Sequence, residues 1–600
     1  MTSSGRRAVV RTAPFTTRGL QGLALGKQEA LENGELISDF NKSDAELIYN
    51  FPTVYVINSN KSIRGEKKYH VYVGESSDIL QRTGGHLVKP RENDEDWEEL
   101  KNAPNSMIYV LGHSYFNKSL TLDVENRLLH YMMGSKAVER LANRRTNEQF
   151  DYYTRERFYE VFNQIWDQLR NLDADLFPEL TEIFDSALYK SSPFHKLTQE
   201  QLSAKNEILE TLYDKIHQNK EGNLIVVSGE AGSGKTVLLS SLFYDIFQNP
   251  IPEGRNNNRN LDCHLLVNHE EQNTVYTQIA KKLGIHTKRN PTVSRPTSFI
   301  NKYSTDRKAD VVLIDEAHLL WTQGKQSYRG KNQLLDIIDR SKVTIAVFDA
   351  RQILQANQWW EEPISKTVPH DKYSEIKLVN QVRMTAGQST LNWLDRLTIE
   401  GKVDAIRPDE KNYDLRIFDS PEALRAAIRE RNDNSDSGLS RIVATFDWPY
   451  SSASLPQEGN KWGVKIGNFD MVWNREIEVE TSVARENKHK AWAEQPQTID
   501  EVGSIYTVQG FDLNFAGVIL GPSVKYRDGR VVMDPSESYF KAATNNRTLS
   551  DGSKQSFGIE LLWNQLYVLL TRGVKGLYIY AVDDELRKAL LDAQKDRSFR

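Results

Sequence analysis

The eight residues from Gly229 to Thr236, with the sequence GEAGSGKT, constrain this chain more than any other stretch. The apolar run Leu224–Val227 precedes them and Val237–Leu239 follows, so the pattern predicts a strand, a glycine-rich loop and a helix. The glycines allow successive backbone N–H groups to point at phosphate oxygens, and the positive end of the helix adds to the attraction. The pattern therefore indicates a loop that holds the phosphates of a nucleoside triphosphate.

Every position of this loop is expected to lie against the nucleotide. Lys235 would contact the β- and γ-phosphates, and the Thr236 hydroxyl would bind Mg²⁺. ATP and Mg²⁺ are therefore the expected cofactors. The nucleotide-binding set is Gly229, Glu230, Ala231, Gly232, Ser233, Gly234, Lys235 and Thr236.

Length and composition narrow the class of protein. A chain of 600 residues is too long for a single core, so several domains are expected. Its 77 basic and 82 acidic residues create no global basic field, although a local groove would be enough to bind nucleic acid. The single cysteine, Cys263, excludes internal disulfides and suits a reducing cytosol. With no long apolar run and no signal peptide, we expect a cytoplasmic protein that does not enter a membrane.

A second strand with a functional end lies about 80 residues further along. Ala309–Ile314 is mostly apolar and ends in Asp315-Glu316, which predicts a buried parallel strand whose acidic pair lies at its carboxyl end. We expect Asp315 to hold Mg²⁺ through water. Glu316 would polarise the water that attacks the γ-phosphate.

Four further segments complete a series of motifs. They are, in chain order, Val343–Gln352, Leu378–Arg383, Gly503–Asp512 and Tyr567–Gly573. Their order and spacing resemble the motifs of superfamily 1 helicases and, among these, the bacterial Schlafen-like DNA/RNA helicase domain family. The resemblance covers about residues 195–585 and implies two RecA-like parallel-sheet motor domains.

The resemblance also implies roles for single residues in this motor. Gln352 would sense the γ-phosphate, and Arg383 and Arg572 would reach across the cleft between the domains to stabilise charge on the phosphoryl group. Gln201 resembles the amide that recognises adenine. Asp512 is placed for the ribose, although many relatives carry Glu at that position.

The region before the motor has a different character. Two strands, Thr53–Asn58 and Tyr69–Gly74, precede a segment that carries Arg82 and His86 at helical spacing. This arrangement resembles a GIY-YIG nuclease domain, an α+β fold. The first signature lacks its glycine, but such glycines are structural, so the chemistry is expected to survive the loss. A folded but inactive domain, or one that only grips nucleic acid, stays open as an alternative.

In the GIY-YIG family a tyrosine acts as general base on water, an arginine holds the scissile phosphate, and a glutamate binds one Mg²⁺. Asp123 is the alternative metal ligand if the helix register differs by two residues. The resemblance assigns these functions to Tyr55, Tyr72, Arg82, His86 and, as metal ligand, Glu125.

The predicted architecture is α/β, with a small α+β domain followed by two RecA-like domains. An apolar stripe at helical spacing within residues 150–189 predicts helices that dock the nuclease on the motor. The expected segments are an extension (1–50), a GIY-YIG-like domain (51–150), a helical connector (151–194), RecA-like domain 1 (195–375) and RecA-like domain 2 (376–600, with an insertion at 385–500).

Together these patterns predict an ATP-driven nucleic-acid translocase or helicase fused to a Mg²⁺-dependent phosphodiesterase. We expect DNA as its substrate, with restriction or anti-phage defence as the cellular role. Two alternatives stay open: an RNA-directed NTPase and nuclease, and an ATP-gated binding module whose nuclease domain is inactive. A homo-oligomer or a partner subunit is compatible with either.

Overall fold

The computed structural model describes residues 7–20, 22–23, 42–79, 81–82, 95–142, 152–229, 232–253, 257–324, 328–379, 384–434, 439–456, 461–487, 490–508 and 512–595. These residues form a mixed α/β structure, as predicted, with extensive parallel sheets. The chain divides into two compact units that are discontinuous in sequence. The first contains residues 1–196, 240–260 and 275–293, and the second contains residues 197–239, 261–274 and 294–600.

A five-stranded sheet forms the centre of the first unit, with the strand order β1-β4-β2-β3-β5. The longest pair, β2 and β3, is an antiparallel hairpin. Its turn is Arg64-Gly65, and both residues have positive φ angles (54° and 88°), as tight two-residue hairpin turns require. The strands are β1 (Val9–Pro14), β2 (Thr53–Ile63), β3 (Glu66–Ser76), β4 (Met107–Gly112) and β5 (Val138–Ala142).

Strand β1 lies within the segment that the sequence suggested was a polar extension. It pairs antiparallel with β4, from Val9 opposite Gly112 to Pro14 opposite Met107. Val9 and Ala13 are buried in the same apolar cluster as Tyr55 and Trp97. Six residues with basic neighbours give too weak an alternation to reveal this strand, so the sheet is larger than residues 51–150 alone indicate.

Helices cover this sheet and fill the connector that follows it. Helix α4 buries a stripe of six apolar side chains between Phe158 and Leu169, at the helical spacing that the sequence shows. Residues 251–253 and 257–259 form a short hairpin (β7 and β8) in this unit. The helices are α1 (Lys42–Tyr49), α2 (Glu95–Asn102), α3 (Lys118–Gly134), α4 (Phe158–Leu172), α5 (Leu180–Asp185) and α6 (Ala187–Lys190).

The second unit contains a six-stranded sheet with the order β10-β9-β11-β12-β6-β13. Strands β9, β11, β12, β6 and β13 pair in parallel, so their carboxyl ends meet at one edge. The sequences are continuous apolar runs because both faces of such a sheet are buried. The strands are β6 (Asn223–Gly229), β9 (Cys263–Val267), β10 (Val293–Ser294), β11 (Ala309–Asp315), β12 (Ser341–Phe348) and β13 (Tyr373–Leu378).

A seven-stranded sheet follows in the same unit, with the order β14-β24-β19-β15-β18-β17-β16. Its neighbouring strands pair in parallel except for the β16–β17 hairpin, which is antiparallel. Residues 385–500 supply β14 to β17, so this stretch is part of the sheet rather than an insertion into it. The strands are β14 (Asp414–Ile417), β15 (Arg441–Ala444), β16 (Gly463–Ile466), β17 (Phe469–Trp473), β18 (Glu501–Gly503), β19 (Leu513–Leu520) and β24 (Gly573–Ala581).

Short hairpins and helices complete the second unit. The hairpins are β20 (Val524–Arg527) with β21 (Arg530–Met533), and β22 (Arg547–Thr548) with β23 (Lys554–Gln555). Two helices, α8 (Lys235–Gln248) and α9 (Glu270–Lys282), contain sequence boundaries between the units. The remaining helices are α7 (Gln199–His217), α10 (Pro296–Lys302), α11 (Gln333–Ile338), α12 (Ile364–Thr367), α13 (Gln388–Ile399), α14 (Pro421–Asp433), α15 (Thr481–Asn487), α16 (Ile505–Val508), α17 (Lys541–Thr544), α18 (Gly558–Leu570) and α19 (Asp584–Lys595).

In the part of the chain that the structure describes, every helix is too short or too polar to cross a bilayer.

Candidate functional site

The glycine-rich loop joins the end of β6 to the start of α8, as its sequence predicts. Gly232 and Gly234 have φ angles of +89° and +76°, which L side chains rarely adopt. A Cβ at Gly229 would lie 2.7 Å from the Leu378 carbonyl oxygen, so a residue with a side chain fits there only if the backbone shifts. The loop therefore depends on its glycines for both its turn and its close packing.

Lys235 is the buried cation of this loop, with only 6% of its surface exposed. Its Nζ donates a hydrogen bond of 2.6 Å to the Gly229 carbonyl oxygen and lies 3.6 Å from Asp349 Oδ2. Thr236 follows in the first turn of α8 and is half-buried. A positive charge at a helix N-terminus, enclosed by a glycine-rich loop, fits the anionic phosphates of a nucleotide.

Asp315 lies at the carboxyl end of β11 and is completely buried. Its Oδ2 accepts a hydrogen bond of 2.8 Å from Gln272 Nε2, and its Oδ1 accepts one of 3.1 Å from the Glu316 backbone N–H. Glu316 itself has a φ of +51°, a left-handed conformation that is costly for a residue with a side chain.

The carboxyl group of Glu316 is held in a charged environment. Its Oε2 lies 2.9 Å from His318 Nε2, and both residues are buried. Burial favours a raised pKa for Glu316, but His318, Arg572 and Lys235 outweigh that effect and lower the pKa below its usual range. Glu316 is therefore ionised at neutral pH.

A chain of polar contacts leads from Lys235 to the second parallel sheet. Asp349, next to Lys235, accepts a hydrogen bond of 2.8 Å from Gln352 Nε2. Gln352 Oε1 in turn accepts one of 3.2 Å from the guanidinium of Arg572, which is fully buried. Arg572 NH1 also lies 3.9 Å from Asp512 Oδ1. We name the four residues Lys235, Asp349, Gln352 and Arg572 the cleft network.

The cleft network connects elements of both sheets in this unit. Asp349 and Gln352 follow β12 of the six-stranded sheet, while Arg572 lies between α18 and β24 of the seven-stranded sheet. An anion placed beside Lys235 would change the charge balance at Asp349 and, through Gln352, at Arg572. The arrangement can therefore couple the phosphates at one sheet to an arginine on the other.

Gln201 lies near the glycine-rich loop, at the third position of α7. Its Oε1 accepts a hydrogen bond of 2.9 Å from the Thr198 backbone N–H, which completes a capping box. Its Nε2 donates a hydrogen bond of 3.0 Å to the Ser233 carbonyl oxygen. Protein backbone thus occupies both ends of the amide that the resemblance assigns to adenine, so the role of Gln201 as a base-recognition residue stays a prediction.

Two residues of this site carry no assigned role in the sequence analysis. Asp349 forms an ion pair with Lys235, and Gln272 donates a hydrogen bond to the carboxylate of Asp315. Asp349 could have been found from its position directly after an apolar strand. Gln272 lies on α9 and has no comparable signal in the sequence.

Several predicted site residues lie outside the described part of the chain. They are Glu230, Ala231, Arg383 and His86.

The donor set of the loop fits a nucleotide with a divalent cation. Lys235 supplies buried positive charge, and Thr236 and Asp315 supply the oxygen ligands that Mg²⁺ prefers. Glu316 lies next in sequence to Asp315. These residues would hold the nucleotide and the cation on the carboxyl edge of the six-stranded sheet.

A second polar cluster lies in the first unit, on β2, β3, α3 and the segment after β3. We name its residues Tyr55, Tyr72, Arg82 and Glu125 the tyrosine cluster. The rings of Tyr55 and Tyr72 stack with centroids 6.1 Å apart. A Cβ at Gly74 would lie 2.6 Å from the Tyr55 hydroxyl oxygen, so glycine allows the tyrosine to cross this strand. Arg82 interacts electrostatically with both tyrosines, and the buried Glu125 acts on Tyr55. Four of the five residues that the nuclease resemblance assigns are thus brought together.

The protonation of Tyr55 is set by its complete burial. Burial, followed by the neighbouring Tyr72, raises the pKa of the Tyr55 phenol well above its ordinary value, although Arg82 opposes this. The hydroxyl therefore carries its proton at neutral pH and accepts a hydrogen bond from Arg82. A function as general base requires further positive charge near Tyr55.

The carboxylate of Asp123 interacts with a different part of the unit. Its Oδ2 accepts a hydrogen bond of 2.8 Å from the Tyr152 hydroxyl. Glu125, by contrast, is 5% exposed and acts on Tyr55. The geometry favours Glu125 over Asp123 as the carboxylate of the tyrosine cluster.

Comparisons with known proteins place the motor region in a family. Residues 222–583, more than half of the chain, match the family described as Schlafen group 3, DNA/RNA helicase domain. An uncharacterized protein of Saccharomyces cerevisiae is 34% identical over 433 residues, which cover 66% of this chain and 91% of the yeast protein.

Solved helicase structures align only loosely with this chain. The arterivirus nonstructural protein 10 helicase, solved with DNA, aligns with a TM-score of 0.26 at 13% identity and covers 61% of this chain and 63% of its own, less than two thirds. Dbp5 of S. cerevisiae, solved with RNA and ADP BeF₃, aligns with a TM-score of 0.27 at 10% identity, over 67% of this chain and 91% of its own.

The predicted resemblance to a helicase domain is confirmed by the family match, which spans both parallel sheets of the second unit and the cleft network. The chain therefore belongs to the Schlafen group 3 DNA/RNA helicase domain family.

Proposed function

We propose that this protein is an ATP-driven nucleic-acid translocase or helicase whose N-terminal region is a Mg²⁺-dependent phosphodiesterase. The cleft network is the observation that carries the motor part. It links the buried lysine of the glycine-rich loop to a buried arginine that follows α18. Membership in a helicase-domain family supports the same conclusion.

The motor step follows from the charges on these residues. Lys235 and Arg572 would both stabilise negative charge on the transferring phosphoryl group. Glu316, which is ionised at neutral pH, would polarise the attacking water and accept its proton. When the γ-phosphate leaves, the negative charge between Lys235 and Arg572 is lost, and Gln352 would again accept a hydrogen bond from Arg572. The two sheets would therefore move against each other with each turnover.

Thr236 and Asp315 would hold a magnesium ion at this site. The ion would supply charge neutralisation for the β- and γ-phosphate oxygens. Its ligands are expected to be hydroxyl, carboxylate and water oxygens.

The phosphodiesterase part is supported by the tyrosine cluster. Arg82 would bind the scissile phosphate, and Glu125 would hold a divalent cation that supplies the additional positive charge near Tyr55. With that charge in place, Tyr55 could release its proton and orient a water for attack. His86 is assigned to the same site from its sequence position alone.

The proposal extends to substrate and setting. We propose that the substrate is DNA and that the role is defence against foreign DNA in the cytoplasm. A translocase and a nuclease in one chain suit the degradation of long duplexes. RNA is the alternative substrate, and the experiment described next distinguishes the two by comparing activity on DNA and on RNA.

The experiment measures ATP hydrolysis and strand cleavage together on single-stranded, duplex and forked DNA and on RNA, with and without Mg²⁺. Lys235→Ala should abolish ATP hydrolysis, whereas Lys220→Ala, which changes an exposed lysine, should have no effect. Tyr55→Phe and Glu125→Ala should abolish cleavage while ATP hydrolysis is retained.

Two results would contradict the proposal. Full cleavage by both Tyr55→Phe and Glu125→Ala would overturn the phosphodiesterase assignment. Absence of any polymer-stimulated ATP hydrolysis in the wild-type protein would overturn the motor.

A further inference from the structure

A large cavity of about 1090 Å³ lies in the first unit, away from the tyrosine cluster. One wall is the loop between β4 and α3, and the other is the segment that leads into α4. The cavity is lined by Ser114–Asn117, Tyr152–Arg157 and Tyr159. The function proposed above uses none of these residues.

Aromatic rings at this cavity are unusually accessible. Tyr153 is 91% exposed and Tyr159 is 66% exposed, the two highest values among the tyrosines that the structure describes as exposed large side chains. Exposed tyrosine faces of this kind provide stacking surfaces for nucleobases, because every base offers a π-face whatever its identity.

The charges at the cavity favour an anion. Arg155 and Arg157 line it together with a single acidic side chain, Glu156. Arg157 lies 3.3 Å from Glu160, and both side chains of this pair are about half exposed (49% and 53%). Such surface pairs contribute little free energy, so a phosphate can replace the carboxylate at low cost.

The walls are held by specific side-chain contacts. Asn117 Nδ2 donates a hydrogen bond of 3.0 Å to Thr154 Oγ1, and the Tyr152 hydroxyl donates to Asp123. Thr154 has a φ of +82°, which is a strained conformation for a β-branched residue. The exposed Tyr153 is therefore carried by an anchored segment rather than by a free loop.

Helix α3 connects the cavity to the tyrosine cluster. Asn117 caps its N-terminus at the cavity, and Glu125, eight residues later, acts on Tyr55. Lys118 and Glu125 are seven residues apart and therefore lie on the same face of the helix, separated by about 10 Å. Lys118 forms an ion pair with Glu75, at the end of the strand that carries Tyr72. About 10 Å equals roughly three steps of stacked bases in a strand.

We infer that this cavity binds a single-stranded segment of nucleic acid and leads it to the tyrosine cluster. The bases stack on Tyr153 and Tyr159, and the phosphates bind Arg155 and Arg157. The inference rests on the proposed phosphodiesterase function, for which it supplies the binding site of the strand.

The test uses the full-length protein and photo-crosslinking with single-stranded oligonucleotides that contain 5-iodouracil, one of DNA and one of RNA. Peptide mapping should find adducts within residues 113–117 and 152–159. Tyr153→Ala combined with Tyr159→Ala should lower these adducts and strand cleavage by at least about 30-fold, since each of the two lost stacking contacts contributes about 1–3 kcal/mol.

Three comparisons make the result specific. Tyr153→Phe with Tyr159→Phe keeps the rings and should retain wild-type adducts and cleavage, and Leu172→Ala, an exposed residue outside the cavity, should do the same. Arg155→Ala and Arg157→Ala should each make the slope of log crosslinking yield against log salt concentration shallower by about one, because each variant loses one phosphate contact.

Failure of this inference can be separated from failure of the proposed function. If the double alanine variant cleaves normally and crosslinks lie only in other regions, the cavity is not the strand-binding site, although the phosphodiesterase assignment survives. If the wild-type protein cleaves neither DNA nor RNA, the phosphodiesterase fails. Adducts at the cavity that the double alanine variant reduces would still support strand binding there.

Discussion

The buried charges around Lys235 are matched within the cleft network. Lys235 lies 3.6 Å from Asp349, which prevents an isolated ammonium group in a site with little solvent. A nucleotide would supply a stronger set of anionic oxygens at the same place. The phosphates would therefore compete with Asp349 for Lys235.

Replacement of Glu316 by Gln tests its role as the base. Gln keeps the size of the side chain but cannot accept the proton of the attacking water. ATP hydrolysis should fall by at least about 100-fold, while ATP binding is retained. Single-turnover hydrolysis and equilibrium binding of labelled ATP measure the two quantities.

The matched control for this variant is Glu362→Gln, because Glu362 is an exposed carboxylate in the same unit. Rapid hydrolysis by Glu316→Gln would remove Glu316 from the mechanism.

Single residues were predictable where a motif fixes their chemistry. The loop from Gly229 to Thr236 and the Asp315-Glu316 pair could be located because glycines and adjacent carboxylates have few other uses after an apolar strand. Asp349 as the partner of Lys235, and Gln272 as the partner of Asp315, depend on contacts between segments more than 40 residues apart. No local pattern reports such contacts.

Among the secondary-structure elements, the hairpin of β22 and β23 has an unexpected role in the second unit. Arg547, in β22, is 4% exposed and donates hydrogen bonds to Thr322 Oγ1 (2.8 Å), the Ala356 carbonyl oxygen (3.0 Å) and Glu361 Oε1 (3.2 Å). Burial lowers the pKa of Arg547, and Glu361 opposes that change. The hairpin thus joins loops that follow β11 and β12 of the six-stranded sheet.

Replacement of Arg547 by Met should destabilise this unit. The variant leaves buried carbonyl oxygens and Glu361 without their donor, which costs about 2–4 kcal/mol. Urea denaturation followed by tryptophan fluorescence measures the loss. Arg530→Met, which changes an exposed arginine of β21, should leave the unfolding midpoint within error, and an equally small change for Arg547→Met would show that the hairpin does not stabilise the unit.

Strands were predicted well where they are long and apolar, and poorly where they are short. The four-residue and five-residue strands β14 to β17 lie among polar segments, and the sequence suggested an insertion there. Their pairing with β18, β19 and β24 is set by contacts distant in the chain. Strand β1 was missed for the same reason.

At the scale of the whole molecule, the first unit should be sensitive to acid. The buried His130 and the partly buried His195 are in contact with each other, with ring centroids 4.1 Å apart. Burial lowers the pKa of His195 to about 4, and burial together with His195 lowers that of His130 well below its usual value. Both are neutral in the folded protein.

The sign of this effect follows from proton uptake. Below about pH 6.5 the unfolded chain binds protons at these histidines that the folded unit does not bind. The stability is therefore complete above about pH 6.5 and should fall by about 1.4 kcal/mol per pH unit for each histidine as the pH decreases towards 4. Chemical denaturation at a series of pH values measures the slope.

The variant His195→Phe keeps an aromatic ring and removes one titrating group. The slope of its unfolding free energy against pH should therefore be smaller by about 1.4 kcal/mol per pH unit, the contribution of one proton. An unchanged slope would show that His195 does not determine the acid sensitivity. His217→Phe, on the exposed end of α7, is the control.

Chain order also constrains how this protein is made. The first compact unit takes in residues 240–260 and 275–293 as well as the first 196. On a ribosome, that unit cannot be completed until the first strands of its neighbour, including β6 and β9, have already been synthesised. Completion of the first unit during synthesis is therefore expected to overlap with the folding of the second.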